Sequence, residues 1–445
     1  MSKPLACFSR ITLRARAAVQ PALHPQARAF SASSRCCTDG VYQELTAMRI
    51  RTPFIEAFRA QQNEQDATQP SISTEKTRDL TPKKMSDSYH KVILPLARDP
   101  WLLDSYINSS GHIRLGTIFM DLDALAGVIA YKHTGDSVMT VTAAVDRITL
   151  KRPLSVICDL EISGQVTFAT GRSSMEVSLQ VAKAPLEGET VKEDDILMTC
   201  AFTMVSLDPT TKKPVAISPL ITTTPEEKRL FTQGQQNYNH KKAASKLALR
   251  KQTPNDQESD LIHALWLQQV AWHDPNSHTR KPHNAVTMAS TQIQSVQIMQ
   301  PQFRNRHNFM IFGGFLLKST FELAFTCASS ISHTRPTFLA LDPSTFENPV
   351  PVGSILYLTA RVAYSDSPLL GKGEGKGGEG GERRTRIQIR VDSKVKNVEH
   401  EEVGTKPTGV FSAFSPSFPS VSHSPLSSLP IFPSKFDSIS SSQIK

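Results

Sequence analysis

The stretch GTIFMDLDALAGVIAYKH, residues 116–133, is the part of the sequence from which the fold can be read. It is apolar over almost its whole length and reads as one long helix. It carries Asp121 and Asp123, and no apolar run in the chain reaches the roughly 18 residues that a membrane-spanning helix requires. We therefore predict a helix buried in the core of a globular domain, and no stable membrane insertion.

Strand patterns surround this helix. One strand is predicted before it, at residues 89–96. Alternation of apolar and polar residues predicts four strand segments after it. These later strands are expected at residues 138–150, 156–169, 174–182 and 196–207. One strand, one helix and four further strands suit an antiparallel sheet that wraps around its helix.

The same order of elements returns in the second half. A strand at residues 288–299 precedes Gly313 and Gly314, which open a second apolar helix at residues 315–331. Strands are then predicted at residues 337–341, 354–364 and 386–398. The recurring order of elements is stronger evidence for a repeat than the weak similarity in sequence between the two halves. The chain is therefore predicted to be an α+β protein with two similar domains.

The net charge of +9 resides mainly in the N-terminus. Residues 1–38 hold six of the 50 basic residues and no acid, which leaves 44 basic against 41 acidic residues. This distribution argues against a nucleic-acid partner. An acid-free segment rich in Arg, Ser and Ala is typical of a mitochondrial transit peptide, although a disordered basic tail would have the same composition.

The six cysteines do not suggest a metal site or a disulfide framework. Three lie in the presumed presequence, and Cys158, Cys200 and Cys327 are scattered without a nearby His at metal-ligand spacing. We expect reduced core thiols, and neither a disulfide framework nor a zinc site.

Several separated segments resemble the mitochondrial acyl-coenzyme A thioesterases, which have two tandem hot-dog domains. The segments, in chain order, are 87–89, 92–96, 121–125, 174–177, 218–221, 225–227, 301–305, 307–308, 312–316 and 321–324. They cover roughly residues 85–400. The resemblance implies hydrolysis of fatty acyl-coenzyme A to free fatty acid and coenzyme A, without a cofactor. It also implies active sites between paired hot-dogs, assembly into a homo-oligomer and residence in the mitochondrial matrix.

The resemblance and the element pattern together define the expected fold. We predict a tandem double hot-dog in which each antiparallel sheet wraps around a central helix. The expected segments are a transit peptide (1–40), a linker (41–85), hot-dog 1 (86–224), a helical connector (225–285), hot-dog 2 (286–411) and a disordered tail (412–445). The Gly, Glu, Lys and Arg run at 371–384 is also expected to be disordered.

Thioester hydrolysis needs a group that receives the developing charge of the carbonyl oxygen. A helix that begins with glycine offers free backbone N–H groups and a partly positive end. Gly313 and Gly314 are the leading candidates, and Gly116 opens the first helix in the same way. The alternative is a helix start that packs tightly against a neighbour.

Asp123 is the leading candidate for general base or nucleophile. A carboxylate on an apolar helix is costly unless it has partners or a function. Asp121 is about 200° around the helix from Asp123, so the two cannot face one site. The alternative for Asp123 is a carboxylate satisfied by neighbouring backbone amides.

The remaining candidates lie in the second half. Glu322 occupies the place of Asp123 on the second helix but is offset by one residue. Asn308 is paired with Asp123 as a hypothesis, because its amide can bind water or the thioester carbonyl. His307 is a further candidate for substrate binding.

Two other classes of protein compete with a thioesterase. A hydratase on the same fold typically needs a closely spaced Asp and His pair, which neither half contains. A catalytically weak acyl-coenzyme A-binding or assembly protein is the alternative that the unusual C-terminus favours, because Pro416 would interrupt a final central strand.

Overall fold

The structure is a computed structural model that describes residues 41–66, 78–152, 154, 156–247, 251–281, 286–365, 384–398, 406–413, 417–419 and 431–432. The predicted transit peptide lies outside the described residues. So do nearly all of the run at 371–384 and most of the tail from residue 412.

The first half contains five helices and eight strands among the described residues. They are α1 (Gln43–Arg49), α2 (Phe54–Asp66), β1 (Lys83–Lys84), α3 (Met85–Ser88), β2 (His90–Leu94), α4 (Pro100–Tyr106), α5 (Leu115–Thr134), β3 (Met139–Val145), β4 (Ile148–Leu150), β5 (Leu160–Ala169), β6 (Ser174–Lys183), β7 (Ile196–Leu207) and β8 (Leu220–Ile221). The central helix α5 extends one residue beyond the predicted range at each end.

The connector and the second half follow. Their elements are α6 (Pro225–Lys246), α7 (Asp256–His273), β9 (Val286–Thr287), β10 (Ile293–Ile298), α8 (Gly313–Ser332), β11 (Ala340–Phe346), β12 (Ile355–Ser365), β13 (Arg384–Lys396), β14 (Lys406–Ala413), β15 (Ser417–Pro419) and β16 (Ile431–Phe432). None of the helices described is long and apolar enough to cross a membrane.

One continuous sheet joins the two halves. Its strand order is β10-β12-β13-β14-β11-β3-β7-β6-β5-β2, and each half has the same order when it is read outward from the centre. At the centre β3 and β11 pair antiparallel, with Val145 opposite Ser344 and Ala144 opposite Thr345. The predicted α+β tandem double hot-dog, in which each antiparallel sheet wraps around a central helix, is confirmed.

The two central helices supply the core. Fourteen residues of α5 are buried, including residues on every side of the helix, so α5 is enclosed by the sheet and by α8. Phe119 of α5 packs edge-to-face on Phe321 of α8, with ring centroids 5.0 Å apart. Phe338 contacts both rings, at 5.9 and 5.4 Å. This aromatic cluster fixes one helix against the other.

Residues 41–66 correct one expectation. They were predicted to be part of a linker with at most one short helix, but the structure folds them into two helices, and α1 packs on the core. Leu45 is fully buried and Val41 is 3% exposed. The backbone N–H of Tyr42 donates to Asp121 Oδ1 at 2.8 Å. The polar composition of residues 39–85 concealed these few apolar anchors.

The connector helix α6 begins as its sequence predicts. Thr224 caps the helix by accepting the N–H of Glu227, and Pro225 occupies the first helical position. Further along, the helix contacts hot-dog 1, where Phe231 lies 5.0 Å from Phe168 on β5. Lys241 donates to Asp146 at 2.7 Å and to Thr203 at 2.6 Å.

The last strand of the second sheet is present. β14 pairs with both β13 and β11, so it is a central strand. It ends at Ala413, two residues beyond the expected end of hot-dog 2 and before Pro416. Two short strands, β15 and β16, lie within the segment that was expected to lack structure, and they pair with β13 and β9.

A candidate active site between the two central helices

The beginning of each central helix lies against the middle of the other. Gly314, in the first turn of α8, contacts Asp123 of α5. Gly116, in the first turn of α5, lies beside Glu322 of α8. The double hot-dog therefore creates two related places where a carboxylate faces the N-terminus of a helix from the opposite half.

Asp123 is the acid of the first place, and it is deeply buried, with 5% of its surface exposed. Its Oδ2 accepts the backbone N–H of Gly314 at 2.6 Å, and its Oδ1 accepts the hydroxyl of Thr142 at 2.7 Å. Burial raises the pKa of Asp123 to about 6, although both hydrogen bonds and the charge of Arg49 act in the opposite direction. The carboxyl group is thus poised to exchange protons near neutral pH.

The double glycine explains why this contact is so close. A Cβ on Gly314 would lie 2.9 Å from the Cα of Met120 and 3.0 Å from the Cβ of Asp123, so a side chain there would push the helices apart. A Cβ on Gly313 would lie 3.2 Å from Asp123 Oδ2. In the described part of the chain the Gly313 N–H has no acceptor, so this donor remains available at the positive end of α8.

Thr142 was missed by the analysis of the sequence. It lies on β3, nineteen positions after Asp123, and its hydroxyl donates to the carboxylate. The only signal was a polar residue in a strand that starts soon after the helix. Threonines are common in strands, so the pattern could not single it out.

Asn308 is not placed beside Asp123 by any hydrogen bond among the described residues. Its Oδ1 accepts from Arg304 Nε at 3.1 Å, and its Nδ2 lies 3.5 Å from Thr52 Oγ1. Its backbone has φ 65°, a left-handed conformation that asparagine tolerates better than most residues. Asparagine suits this turn, and the pairing of Asn308 with Asp123 stays a prediction.

Glu322 marks the second place, and its surroundings differ from those of Asp123. Its carboxylate forms an ion pair with Arg114 at 2.7 Å, and both side chains are partly exposed, at 36% and 42%. A Cβ on Gly116 would lie 3.1 Å from Glu322 Oε1. The carboxylate therefore approaches the start of α5, but a cation from the same helix start already neutralises it.

His307 contacts the C-terminal end of α5 and not Asp123. Its Nε2 is 2.8 Å from the hydroxyl of Tyr131. Burial, assisted by the charges of Lys212 and Arg306, lowers the pKa of His307 to about 4, so the ring is neutral at physiological pH. This histidine therefore has no positive charge with which to bind an anionic group of the substrate.

Asp121 has a separate set of partners, as the helical angle predicts. Its Oδ2 accepts the hydroxyl of Tyr106 at 2.5 Å, and its Oδ1 accepts the N–H of Tyr42. Burial raises the pKa of Asp121 to about 7. This acid joins the N-terminal segment to α5 and does not face the start of α8.

A buried acid that meets a glycine-opened helix across two paired hot-dogs places this chain among the hot-dog enzymes. No family model matches the sequence. It is 35% identical over 343 residues to the mitochondrial acyl-coenzyme A thioesterase 9 of Homo sapiens, covering 75% of this chain and 72% of that protein. It is 34% identical over 303 residues to the chloroplastic acyl-coenzyme A thioesterase 2 of Humulus lupulus, covering 66% and 68%.

The chain is also similar to solved thioesterase structures. A hexameric acyl-CoA thioesterase is 27% identical, with a TM-score of 0.32 over 38% of this chain and 99% of that one. An acyl-ACP thioesterase from Bacteroides thetaiotaomicron is 9% identical, with a TM-score of 0.39 over 75% and 99%. From its sequence relatives, the chain belongs to the acyl-coenzyme A thioesterase family. It is an enzyme that hydrolyses acyl-coenzyme A thioesters, as predicted.

Proposed function

We propose that this enzyme hydrolyses fatty acyl-coenzyme A at a single site, formed by Asp123 on α5 and by Gly313 and Gly314 at the start of α8. The observation that carries the proposal is the hydrogen bond from the Gly314 N–H to Asp123 Oδ2, at 2.6 Å. It brings a buried acid of one central helix, whose pKa burial raises to about 6, to the positive end of the other.

Asp123 acts as the general base. Both of its oxygens already accept a hydrogen bond, which lowers their strength as nucleophiles but leaves lone pairs for a water molecule. The carboxylate takes a proton from water while the water oxygen bonds to the carbonyl carbon. The carbonyl then re-forms as the bond from carbon to sulfur breaks, and Asp123 gives its proton to the departing coenzyme A thiolate.

The start of α8 stabilises the transition state. Negative charge develops on the carbonyl oxygen during attack, and an N–H group aimed at that oxygen lowers the barrier. The Gly313 N–H suits this task because it is unpaired within the described chain and lies beside the carboxylate. The glycine pair also keeps side chains out of the space that the thioester needs.

The second place is proposed to be inactive. Glu322 pairs with Arg114, so its carboxylate is already bound by a cation, which competes with a water molecule for the same oxygens. It is also more exposed than Asp123, and exposure weakens each electrostatic contact. Glu322 is then a residue of the helix interface and not a second base.

The test compares three isosteric variants by coenzyme A release from acyl-CoA substrates of two to eighteen carbons. We expect Asp123→Asn to lower kcat about 10²- to 10⁴-fold, because general-base catalysis contributes about that much. Glu322→Gln should stay close to wild type. Glu176→Gln is the matched control, because Glu176 is also a buried acid whose pKa burial raises, but it contacts Asn237 of α6. A folded Asp123→Asn variant with the wild-type rate would exclude this site.

The proposed location is the mitochondrial matrix. The acid-free, arginine-containing residues 1–38 and the mitochondrial relatives support it. A reporter fused to residues 1–40 should enter the matrix of isolated mitochondria and be protected from added protease. A reporter that stays outside would contradict the proposal.

The enzyme is further proposed to form a homo-oligomer. The edge strand β10 exposes Val296 by 57% and Ile298 by 59%, and apolar side chains on a sheet edge favour association. Light scattering coupled to gel filtration should give a mass that is a multiple of 49.1 kDa. A monomer at micromolar concentration would contradict it.

A further inference from the structure

Residues 41–54, which we call the clasp, connect the two hot-dogs next to the candidate active site. We propose that the clasp is part of the catalytic unit and that its Arg49 is a positioning residue, which acts on Asp123 through its positive charge. This inference rests on the proposed function of Asp123, and the experiment below separates the two.

The first end of the clasp is fixed to hot-dog 1. The N–H of Tyr42 donates to Asp121, two residues before Asp123 on the same helix. Leu45 is fully buried in the core beside α5. Further along, Arg51 forms an ion pair with Asp136, just beyond the end of α5, at 3.1 Å. The clasp therefore follows α5 past the point where Asp123 lies.

The other end of the clasp is fixed to the loop that leads into α8. Arg49 donates to the backbone carbonyl of Arg304, and Arg304 returns a hydrogen bond to the carbonyl of Thr52 at 2.8 Å. The ring of Phe54 lies 6.4 Å from that of Phe309. The start of α8 and the middle of α5 are thus held by the same short segment.

Arg49 is the residue of the clasp that packs beside the start of α8. Its guanidinium carbon lies 4.2 Å from the centre of the Phe312 ring, and Phe312 directly precedes Gly313. A Cβ on Gly314 would meet Phe312 Cε2 at 2.7 Å and Asp123 Cβ at 3.0 Å. The aromatic ring and the acid therefore pack around the same glycine, with Arg49 stacked on that ring.

Arg49 and Asp123 have opposite charges and attract each other. The Arg49 Nε is buried and has no hydrogen-bond partner among the described residues. A buried cation without a full set of partners is costly, and a nearby carboxylate reduces the cost. Burial and the neighbouring Arg304 lower the pKa of Arg49 to about 10, while the charge of Asp123 raises it.

The described groups that hydrogen-bond to Asp123 are neutral. β3 presents the neutral hydroxyl of Thr142, and α8 presents the N–H of Gly314. On α5 itself, Asp121 faces Tyr106 and Tyr42. Arg49 is the one charged side chain of the described chain that contributes to the pKa of Asp123, and it lowers that pKa. It thereby enlarges the pH range in which the base is ionised.

The experiment records kcat/KM against pH from 5 to 9 for the full-length enzyme and for Arg49→Met, Arg49→Lys and Arg59→Met. Arg59 is the matched control, because it is an exposed arginine of the same N-terminal region beyond the clasp. We expect the acid limb of Arg49→Met to move up by about half a pH unit or more, which is about threefold in activity at the acid end. Arg49→Lys and Arg59→Met should keep the wild-type midpoint.

The two possible roles of Arg49 predict different profiles. A merely structural role would lower kcat/KM at every pH and leave the midpoint unchanged, and that result would overturn the proposal. A rise in KM with an unchanged midpoint would also overturn it, since it would indicate direct substrate binding.

A double-mutant cycle in thermal unfolding tests the same charge relationship without turnover. Arg49→Met should lower the Tm less in an Asp123→Asn background than in the wild type, and additive changes would refute the coupling. If Asp123→Asn retains turnover, the proposed function fails, but this cycle still reports whether Arg49 acts on Asp123. Arg49→Gln, which removes the charge but keeps a polar side chain with N–H donors, replaces Arg49→Met in both tests if Arg49→Met does not fold.

Discussion

Asp123 and Gly314 are 191 positions apart in the sequence, yet the carboxylate of the first accepts the backbone N–H of the second at 2.6 Å. Neither hot-dog contains this pair alone. The acid is costly where it lies because it is buried, and the helix N-terminus compensates part of that cost. An enzyme that keeps such an acid gives up stability for reactivity, which leads to the first prediction.

Asp123→Asn should stabilise the protein although it lowers the activity. The pKa of Asp123 is raised from 3.8 to about 6, so the folded state binds a proton more tightly than the unfolded state. For a raised acid, the free energy of unfolding falls as pH rises through this window, and the full cost is present above pH 6. We expect the variant to gain about 1–3 kcal/mol at pH 8 and nothing below about pH 4.

Denaturant unfolding at pH 4 and pH 8 measures this difference. A wild type that is more stable than Asp123→Asn at pH 8 would show that the carboxylate is stabilising, contrary to its raised pKa. Glu322→Gln provides the comparison at the exposed ion pair with Arg114, where a change within about 1 kcal/mol is expected.

Thr142→Val should move the acid limb of kcat/KM to higher pH. The Thr142 hydroxyl stabilises the charged form of Asp123, so its loss raises the pKa of that acid further. The rate above pH 8 should fall by less than the rate at pH 6. Thr149→Val is the matched control on β4, because Thr149 is exposed. An unshifted limb in Thr142→Val would remove this residue from the site.

Gly314→Ala and Gly127→Ala should have opposite effects on stability. A Cβ on Gly314 would meet the backbone Cα of Met120 at 2.9 Å, and overpacking of this kind costs about 1–3 kcal/mol. A Cβ on Gly127 meets nothing within 4 Å, so alanine there should stabilise α5 by about 0.5–1 kcal/mol. Thermal melts of both variants check this, and equal Tm values would contradict the close approach of the helices.

The acid limb should survive the change His307→Gln. A free imidazole titrates near the same pH as Asp123, so the limb could be assigned to either group. Since the pKa of His307 is lowered to about 4, its titration lies below the limb. Steady-state rates between pH 5 and pH 8 decide the assignment. A limb that disappears in His307→Gln would transfer it from Asp123 to the histidine.

The central helices could be predicted because their signals are local. An apolar run that begins with glycine identifies α5 and α8 without any knowledge of how the rest of the chain folds. The same holds for the cap of α6 at Thr224. The unusual acid on α5 could also be recognised, since a carboxylate such as Asp123 contrasts with its apolar neighbours.

The partners of that acid could not be predicted, because they depend on how two halves meet. Nothing in the sequence reports that Thr142 on β3 aims at Asp123 or that Asn308 turns toward Thr52. The clasp was missed for a related reason. Its anchoring depends on Leu45 and on one backbone hydrogen bond from Tyr42, and neither produces a periodic pattern.

The pairing of β3 with β11 has a consequence for how the enzyme loses its structure. The sheet passes without a break from one half to the other, and α5 packs on α8 beneath it. Neither half can therefore come apart without exposing the core of its neighbour, so the two should denature in one cooperative step. Damage to a remote strand of either half would then disable catalysis by loss of the whole fold.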